Sequence, residues 1–301
     1  MDEVRQTSDA CAVSVIVPTY NRPTRLRTLI DALSRQWPVS GGFEVLIVDD
    51  GSEPPIDTAA LVAGTSLTIR LLRTENSGPA AARNLGARCA RGGTLAFTDD
   101  DCEPDANWIA GLLARHTAAV GPKIVGGCTV NSLPRNPFAT TSQNLITIGY
   151  AHYNRDPERA RFFASNNMSV PREEFLRIGG FDAIFRTSED RDLCDRWQYA
   201  GLTLESAPEC VVHHAHEMWL VGFLRQHFAY GRGAFRFHAT RARRHGGVRI
   251  VEWPYYQTLF MSVFPPRGSH ATPLLAFSLL AAQVANLIGF CYERVRHHRA
   301  A

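Results

Sequence analysis

The sequence predicts an α/β fold, with a mostly parallel sheet flanked by helices and a helical C-terminal extension. Three observations predict it. Short apolar strands alternate with helix-patterned segments four times, a polar loop follows each strand, and the last part of the chain is apolar and basic. Of the 301 residues, 45% are hydrophobic and 20% are charged, which is sufficient for a large core.

Four apolar runs predict the strands of the first half, because a parallel strand that is buried on both faces shows no polar alternation. These runs are residues 13–18, 43–48, 67–72 and 94–98. After the first run, Asn21 and Pro23 supply turn and cap residues, and Leu26, Leu29 and Leu33 recur at helical spacing. The pattern therefore predicts a strand followed by a helix that packs on the sheet.

The following segments alternate less regularly. An alanine-rich helix is predicted to end near Arg91, before the fourth strand. Further strands are predicted at 124–130 and 210–213, and further helices at 172–178 and 189–200. We therefore expect one domain over residues 11–216, made of two halves at about 11–122 and 123–216, and an extension over 217–301.

Three adjacent carboxylates, Asp99, Asp100 and Asp101, follow the fourth strand. Such groups repel one another at the end of a buried strand unless a cation or solvent compensates. A divalent ion with oxygen ligands is one compensator, and its open positions can bind phosphate oxygens. The alternative is a solvated acidic turn before a helix, where aspartates favour the helix N-terminus.

Other polar groups follow neighbouring strands. They are the pair Asp49–Asp50, the loop Pro18–Asn21, and Arg83 and Asn84 in the segment after Gly78. Ligands of open α/β sheets bind outside the carboxyl ends of the strands, where these loops lie. The sequence therefore predicts one crevice that contains acidic, amide and arginine groups.

Six ordered segments of the chain share the pattern of one enzyme family. They read VSVIVPTYNR, EVLIVDDGS, NSGPAAARNLGA, FTDDDCEP, NNMSVPREEFLRIGGFD and SEDRDLCDRW, and together they cover about residues 13–216. This set resembles the family 2 nucleotide-sugar glycosyltransferases. The resemblance implies a GT-A-type fold with a Rossmann-like sheet. It also implies metal-dependent, inverting transfer of a sugar from a nucleotide-sugar, most often a UDP-sugar, to an acceptor hydroxyl in polysaccharide, glycolipid or other glycoconjugate synthesis.

The resemblance makes the first half, about 11–122, the nucleotide-binding half. The implied nucleotide contacts are Pro18, Thr19, Tyr20, Asn21, Asp50, Arg83, Asp99 and Asp100. Within this set, Thr19, Tyr20 and Asp50 would hold the nucleobase, and Asp99 or Asp100 would contact the ribose. Asp101 would bind the metal on the diphosphate.

The second half, about 123–216, is the implied acceptor half. Asp190 matches the catalytic base of the family, and a base is needed because an acceptor hydroxyl is a poor nucleophile until a carboxylate takes its proton. The implied acceptor contacts are Asn167, Gly180, Phe181 and Glu189, with Asn166 beside them. The alternatives are an acidic helix start for Glu189 and Asp190, a turn for the glycines and structural amides for the asparagines.

A histidine after the last predicted strand completes the metal shell in many members of this family. The resemblance therefore implies His214 or His216 as a further ligand beside Asp101. Borderline nitrogen ligands favour manganese over calcium. The expected cofactor is a divalent metal ion, Mn²⁺ or Mg²⁺.

The extension is basic and apolar. From Val221 onward it contains eleven arginines and two glutamates, a net charge of +9 in a chain of net charge +3. Residues 272–290 form an uncharged run that would be about 28 Å long as a helix. A stripe of small residues suited to helix packing runs along it, at Ser278, Ala282, Ala285 and Gly289. Four interpretations stay open: peripheral membrane contact, a second subunit, a membrane span or a core helix.

The expected partners are a nucleotide-sugar donor and a glycan, lipid-linked or other hydroxyl acceptor; no nucleic-acid module is recognised. Seven cysteines without a CxxC pair and a polar start at residues 1–10 favour a cytoplasmic location, at the inner face of the cell membrane if the extension docks there. Two other functions stay open. One is a non-catalytic nucleotide-sugar or glycan-binding protein. The other is a sugar nucleotidyltransferase, against which the loop Pro18–Arg22 lacks glycine.

Overall fold

The computed structural model describes residues 11–118, 121–247, 253–263 and 273–300. Its centre is an eight-stranded mixed sheet in the order β3-β2-β1-β4-β7-β6-β8-β5. The strands are β1 (Val13–Thr19), β2 (Phe43–Asp49), β3 (Ile69–Arg73), β4 (Thr94–Thr98), β5 (Cys102–Pro104), β6 (Lys123–Asn131), β7 (Asn167–Pro171) and β8 (Thr203–His214). The predicted α/β class, with flanking helices and a helical C-terminal segment, is confirmed.

Helices cover both faces of the sheet and form the C-terminal segment. They are α1 (Pro23–Leu33), α2 (Thr58–Val62), α3 (Pro79–Cys89), α4 (Trp108–Thr117), α5 (Pro137–Tyr153), α6 (Arg172–Arg177), α7 (Glu189–Tyr199), α8 (Leu220–His245), α9 (Trp253–Val263) and α10 (Pro273–Ala300), and a 3₁₀ turn covers Pro157–Arg159. One apolar core lies between the sheet and α1 and α4, and a second lies between the sheet and α3, α6 and α7.

The first four strands pair in parallel, as their unbroken apolar runs predict. The third strand begins at Ile69 instead of residue 67. The reason is local, because the Thr65 hydroxyl accepts a hydrogen bond from the Leu67 backbone N–H and holds the chain in a turn before the strand. The loops after β1, β2 and β4 therefore meet at one edge of the sheet, where the predicted crevice lies.

A short antiparallel strand joins the acidic motif to the histidine segment. β5 begins directly after Asp101 and pairs with the end of β8, with Cys102 opposite His214. The Ala215 N–H also donates to the Asp101 carbonyl oxygen at 2.8 Å. This pairing, which no sequence pattern predicted, places Asp101 beside the histidines.

The helical C-terminal segment packs on the acceptor half, and α10 lies along α8 and also touches α5. The predicted small-residue stripe forms this contact, since Ser278 and Ala282 are fully buried. Gly231 of α8 and Gly289 of α10 lie so close to the facing helix backbone that neither has room for a Cβ atom. The stripe is therefore covered by α8 of the same chain.

By length and composition alone, Pro273–His298 could cross a membrane. Residues 1–10 and position 272, on which two sequence interpretations depend, lie outside the described residues. The division into a domain over 11–216 and an extension over 217–301 stays a prediction.

Candidate active site

A cavity of about 710 Å³ opens at the carboxyl ends of the strands and continues beneath the helices of the C-terminal segment. Most of the predicted site residues line it. They are Pro18, Thr19, Tyr20, Asp50, Arg83, Asp99, Asp100, Asp101, Glu189, Asp190, His214 and His216. The fold therefore brings the donor, metal and base candidates into one space.

Asp100 is held by the loop after β1. Its carboxylate accepts a hydrogen bond from the Thr19 hydroxyl at 2.7 Å, and Arg22 Nη1 lies 3.2 Å away. Burial, reinforced by the charges of Asp101 and Asp99, raises the pKa of Asp100 to about 6. The three aspartates thus repel one another electrostatically, as their adjacency in the sequence indicates.

Asp101 and the histidines form the candidate metal end. Asp101 Oδ1 lies 3.1 Å from His214 Nε2, and the rings of His214 and His216 are 5.1 Å apart. Although burial opposes it, the hydrogen bond and charge of His214, with Arg22, hold the pKa of Asp101 well below its usual range. Burial and the neighbouring His214 charge lower the pKa of His216 to about 4, so His216 is neutral and has a free lone pair at neutral pH.

The residues present at this end fit a divalent ion. Asp101, Cys102 and His214 each offer a ligand atom, and the three atoms lie within 4.8 Å of one another. An ionised carboxylate and an imidazole suit Mn²⁺ and related ions. Arg22 Nη1, 3.0 Å from Asp101 Oδ2, partly compensates the same carboxylates through a side chain that is half exposed.

Asp50 shapes the neighbouring loop. Its two carboxylate oxygens accept hydrogen bonds from the backbone N–H groups of Ser77 and Gly78, at 2.8 and 2.9 Å. Gly78 adopts a φ of +92°, which favours glycine, and is the N-cap residue that precedes α3 next to the cavity. Tyr20 lines the same end and is 47% exposed, so its ring face is accessible to a planar base. The nucleobase role of Asp50 and Tyr20 stays a prediction.

Arg83 joins the two halves of the site. It is almost fully buried, and its guanidinium lies 2.5 Å from Asp99 and 3.1 Å from Glu189. A buried arginine between two carboxylates is a charge-assisted bridge that fixes both elements. Its predicted nucleotide contact stays a prediction, because these two carboxylates already share its charge.

Asp190 lies in the first turn of α7 and lines the cavity. Its carboxylate accepts the Arg191 backbone N–H at 2.8 Å, and no arginine or lysine of the described residues forms an ion pair with it. Burial, followed by the adjacent charge of Glu189, raises the pKa of Asp190 to about 7. A half-buried carboxylate with a pKa near neutrality is suited to accept a proton.

The turn before α7 fixes this carboxylate. Ser188 adopts a left-handed φ of +72°, which is uncommon for a residue other than glycine. The Thr187 hydroxyl donates to the Ala229 carbonyl of α8 at 2.9 Å, and Gly233 of α8 leaves no room for a Cβ atom against this turn. The C-terminal segment therefore positions the candidate base.

Four predicted residues do not line the cavity. Asn167, predicted as an acceptor contact, is fully buried, where it accepts from the Trp108 indole N–H and donates to two backbone carbonyls. Of the other two predicted acceptor residues, Phe181 packs against Phe97 in the core, and hydrogen bonds join the Gly180 loop to α3 and α7. Asn21 bonds Ser52 and Glu53 and braces its own loop.

Of the two predicted asparagines, Asn166 lines the cavity and Asn167 does not, and strand alternation is the signal that separates them. Sequence reasoning missed two parts of the site. One is Arg22, which was assigned no role there. The roof formed by α5, α8, α9 and α10 was not predicted as part of the site. No pattern within these helices indicates which core they cover.

Comparison with known proteins identifies the family of this chain. The sequence model of the family described as glycosyl transferase family 2 matches residues 14–190. The chain belongs to this family. A family 2 glycosyltransferase domain therefore covers β1 to the start of α7, which includes every strand except β8.

Two curated relatives are similar over most of this family 2 chain. The pre-mycofactocin glycosyltransferase of Mycobacterium tuberculosis is 31% identical over 230 residues, which are 74% of this chain and 46% of the relative. The validoxylamine A glucosyltransferase of Streptomyces hygroscopicus is 29% identical over 232 residues, which are 67% of this chain and 51% of the relative. The chain spans about half the length of these relatives.

One solved structure covers nearly the whole chain. The mannosyltransferase PcManGT from Pyrobaculum calidifontis, in complex with GDP-Man and Mn²⁺, has a TM-score of 0.65. The alignment covers 93% of this chain and 88% of that protein, at 19% identity. This likeness establishes the shared fold, including its helical C-terminal part.

Proposed function

We propose that the protein is a metal-dependent, inverting glycosyltransferase that moves a sugar from a nucleotide-sugar to an acceptor hydroxyl. One observation supports it most strongly: the Asp101–His214 pair and the carboxylate of Asp190, which forms no ion pair within 4 Å among the described residues, line a single cavity. Family membership agrees, and the PcManGT structure holds a nucleotide-sugar with Mn²⁺ in the same fold. UDP is the proposed nucleotide.

Asp101 and His214, with His216 beside them, would hold a divalent ion, which supplies charge neutralisation for the leaving diphosphate. Asp190 takes the proton of the acceptor hydroxyl while the hydroxyl oxygen bonds to the anomeric carbon. The bond from that carbon to the diphosphate oxygen breaks, and its electron pair leaves with the nucleoside diphosphate. A single displacement of this kind inverts the anomeric centre, and the proton ends on Asp190.

Nucleotide binding tests the first half of this proposal. Titration calorimetry with UDP, GDP and dTDP, each with and without MnCl₂, is expected to show one nucleotide that binds at least about tenfold more tightly with the metal, since Asp101 and His214 would hold an ion that neutralises the diphosphate charge. Asp31→Ala, at an exposed position on α1, serves as a control and is expected to bind normally. Binding of no nucleotide, with or without metal, would oppose the proposal.

We further propose that α10 contacts an anionic membrane surface. One side of α10 exposes an apolar stripe from Leu274 to Val295, about 32 Å long, which nothing in the described residues covers. Its members recur at helical spacing: Leu274, Phe277, Leu280, Val284, Leu287, Ile288, Tyr292 and Val295. Trp253 and Tyr256 of the adjoining α9 are also exposed, and Arg294 and Arg296 lie near the stripe's end. Apolar, aromatic and basic groups together match a phospholipid surface.

Replacing Leu280, Leu287 and Ile288 with glutamine tests this contact. The unmodified protein is expected to sediment with vesicles that contain anionic phospholipid and to dissociate as salt rises, whereas the triple variant is expected to lose most of this binding.

The matched control replaces Val62, Leu176 and Ile184 with glutamine. These residues are exposed away from the stripe, and their replacement is expected to leave vesicle binding unchanged. Absence of vesicle binding would contradict the membrane proposal. Light scattering that shows a dimer, lost in the stripe variant alone, would instead assign the stripe to a second subunit.

A further inference from the structure

The cavity extends well beyond the groups that the donor and base require. Past Asp190, its walls come from α5, α8, α9 and α10. Tyr153 and Tyr255 stack there, with ring centroids 6.0 Å apart and planes at 24°, and Tyr256 follows at the rim. We call this region the roof compartment. It adjoins Asp190, the proposed base, and the molecule that receives the sugar has to lie beside this base.

The described walls of the roof compartment contain no carboxylate, ammonium or guanidinium group. The cavity-lining residues of these four helices include no aspartate, glutamate, lysine or arginine among those the structure describes. Burial lowers the pKa of His227 to about 4, so this histidine is neutral as well. The guanidinium of Arg191, at the border, lies 4.7 Å from the centre of the Phe237 ring. Away from this border, an ionic acceptor would therefore lose its hydration without gaining an ionic partner from the described residues of the four helices.

Two amides of this cavity hold buried oxygen atoms that lack hydrogen bonds. Asn166 is 9% exposed, and its Oδ1 has no partner. Gln226 donates through Nε2 to the Tyr230 hydroxyl at 2.5 Å, which leaves Oε1 buried and unpaired. Buried polar atoms rarely lack a hydrogen bond, because an unpaired buried oxygen costs folding free energy unless a donor binds to it. Both oxygens accept hydrogen bonds, so the missing partners are O–H or N–H groups.

Resting on the proposed function, we infer that the roof compartment binds an uncharged, hydroxyl-rich acceptor, such as a neutral glycoside or a cyclitol, whose hydroxyl groups donate to Asn166 and Gln226. The tyrosine faces contact the apolar side of its ring, and the two amides orient it so that another hydroxyl reaches Asp190. Asn166 and Gln226 are then specificity residues for the acceptor, and neither takes part in donor binding.

The test compares neutral probes with a charged probe of similar shape. Methyl glucoside and methyl glucuronide are matched in shape, and further neutral methyl glycosides and a cyclitol widen the panel. Binding is measured by calorimetry with nucleoside diphosphate and Mn²⁺ present, and transfer and donor hydrolysis are measured separately. At least one neutral probe is expected to bind, about tenfold or more tightly than the glucuronide.

Asn166→Ala and Gln226→Leu are each expected to weaken binding of that neutral probe about five- to tenfold and to raise its KM, because each removes one hydrogen-bond acceptor. Donor hydrolysis without acceptor is expected to stay within about twofold, which also shows that the variants fold. Gln257→Leu, an exposed amide on α9 outside the cavity, is the matched control and is expected to change neither quantity.

Tighter binding of the glucuronide than of every neutral probe would overturn the inference. So would unchanged affinity in both amide variants. Donor hydrolysis by a wild-type enzyme that binds no neutral probe would overturn the inference and leave the proposed function intact. Neutral probes that bind in an Asn166-dependent way to a protein that hydrolyses no donor would contradict the proposed function alone.

Discussion

Replacing Asp190 with asparagine is expected to lower kcat for sugar transfer by about 10²- to 10⁴-fold, because the amide keeps the shape of the side chain but does not accept the proton. Asp182→Asn, an exposed position outside the cavity and just before α7, is the control and is expected to retain activity. Transfer is measured as release of nucleoside diphosphate at saturating donor. Near-normal kcat in Asp190→Asn would exclude this residue as the base.

The raised pKa of Asp190 gives the same variant a stability signature. The base works when ionised, so wild-type activity is expected to rise with pH through about 7. An unfolded aspartate ionises near 3.9. A raised pKa in the folded state therefore means that the fold loses stability as pH increases from about 4 to 7. At pH 8, Asp190→Asn is expected to unfold at a denaturant concentration no lower than that of the wild type.

Replacing Asp101 with alanine is expected to abolish activation by Mn²⁺ and to lower kcat/KM by about 10²-fold or more, because the charge on the leaving diphosphate loses its neutralising partner. His214→Ala is expected to raise the Mn²⁺ concentration needed for half-maximal rate, and His216→Ala to do so to a smaller extent.

Asp105→Ala is the matched control for Asp101. Asp105 also pairs with a histidine, His213, at 3.0 Å, but this pair does not line the cavity. Its loss is expected to leave the Mn²⁺ dependence unchanged. An Asp101→Ala variant that responds to Mn²⁺ like the wild type would exclude a metal site at this end of the cavity.

The parallel half of the fold could be predicted because each signal is local. Buried strands read as unbroken apolar runs, and the loops after β1, β2 and β4 necessarily meet at one sheet edge. That geometry brings Thr19, Asp50 and Asp100 into one crevice without further information. Asp101 follows β4 in the same way, whereas Asp190 was assigned to the site only by the resemblance of its segment to the family.

The remainder depends on long-range pairing. β5 has only three residues, and its pairing with β8 joins positions more than a hundred residues apart, so no window of sequence reveals that Asp101 meets His214. Asn166 and Asn167 differ only in which face of the chain they occupy, which is decided by the register with β4 and β6. The glycine contacts that join α8 to α10 are likewise invisible until both helices are placed.

The most direct test of the central claim is donor hydrolysis by the wild-type protein across UDP-, GDP- and dTDP-sugars, with and without Mn²⁺. Transferases release sugar slowly to water, so no acceptor is needed. We predict metal-dependent hydrolysis of donors that carry one nucleotide, and its loss in Asp101→Ala. If a folded protein supplied with Mn²⁺ hydrolyses no donor of the panel, that result would contradict transfer from these nucleotide-sugars.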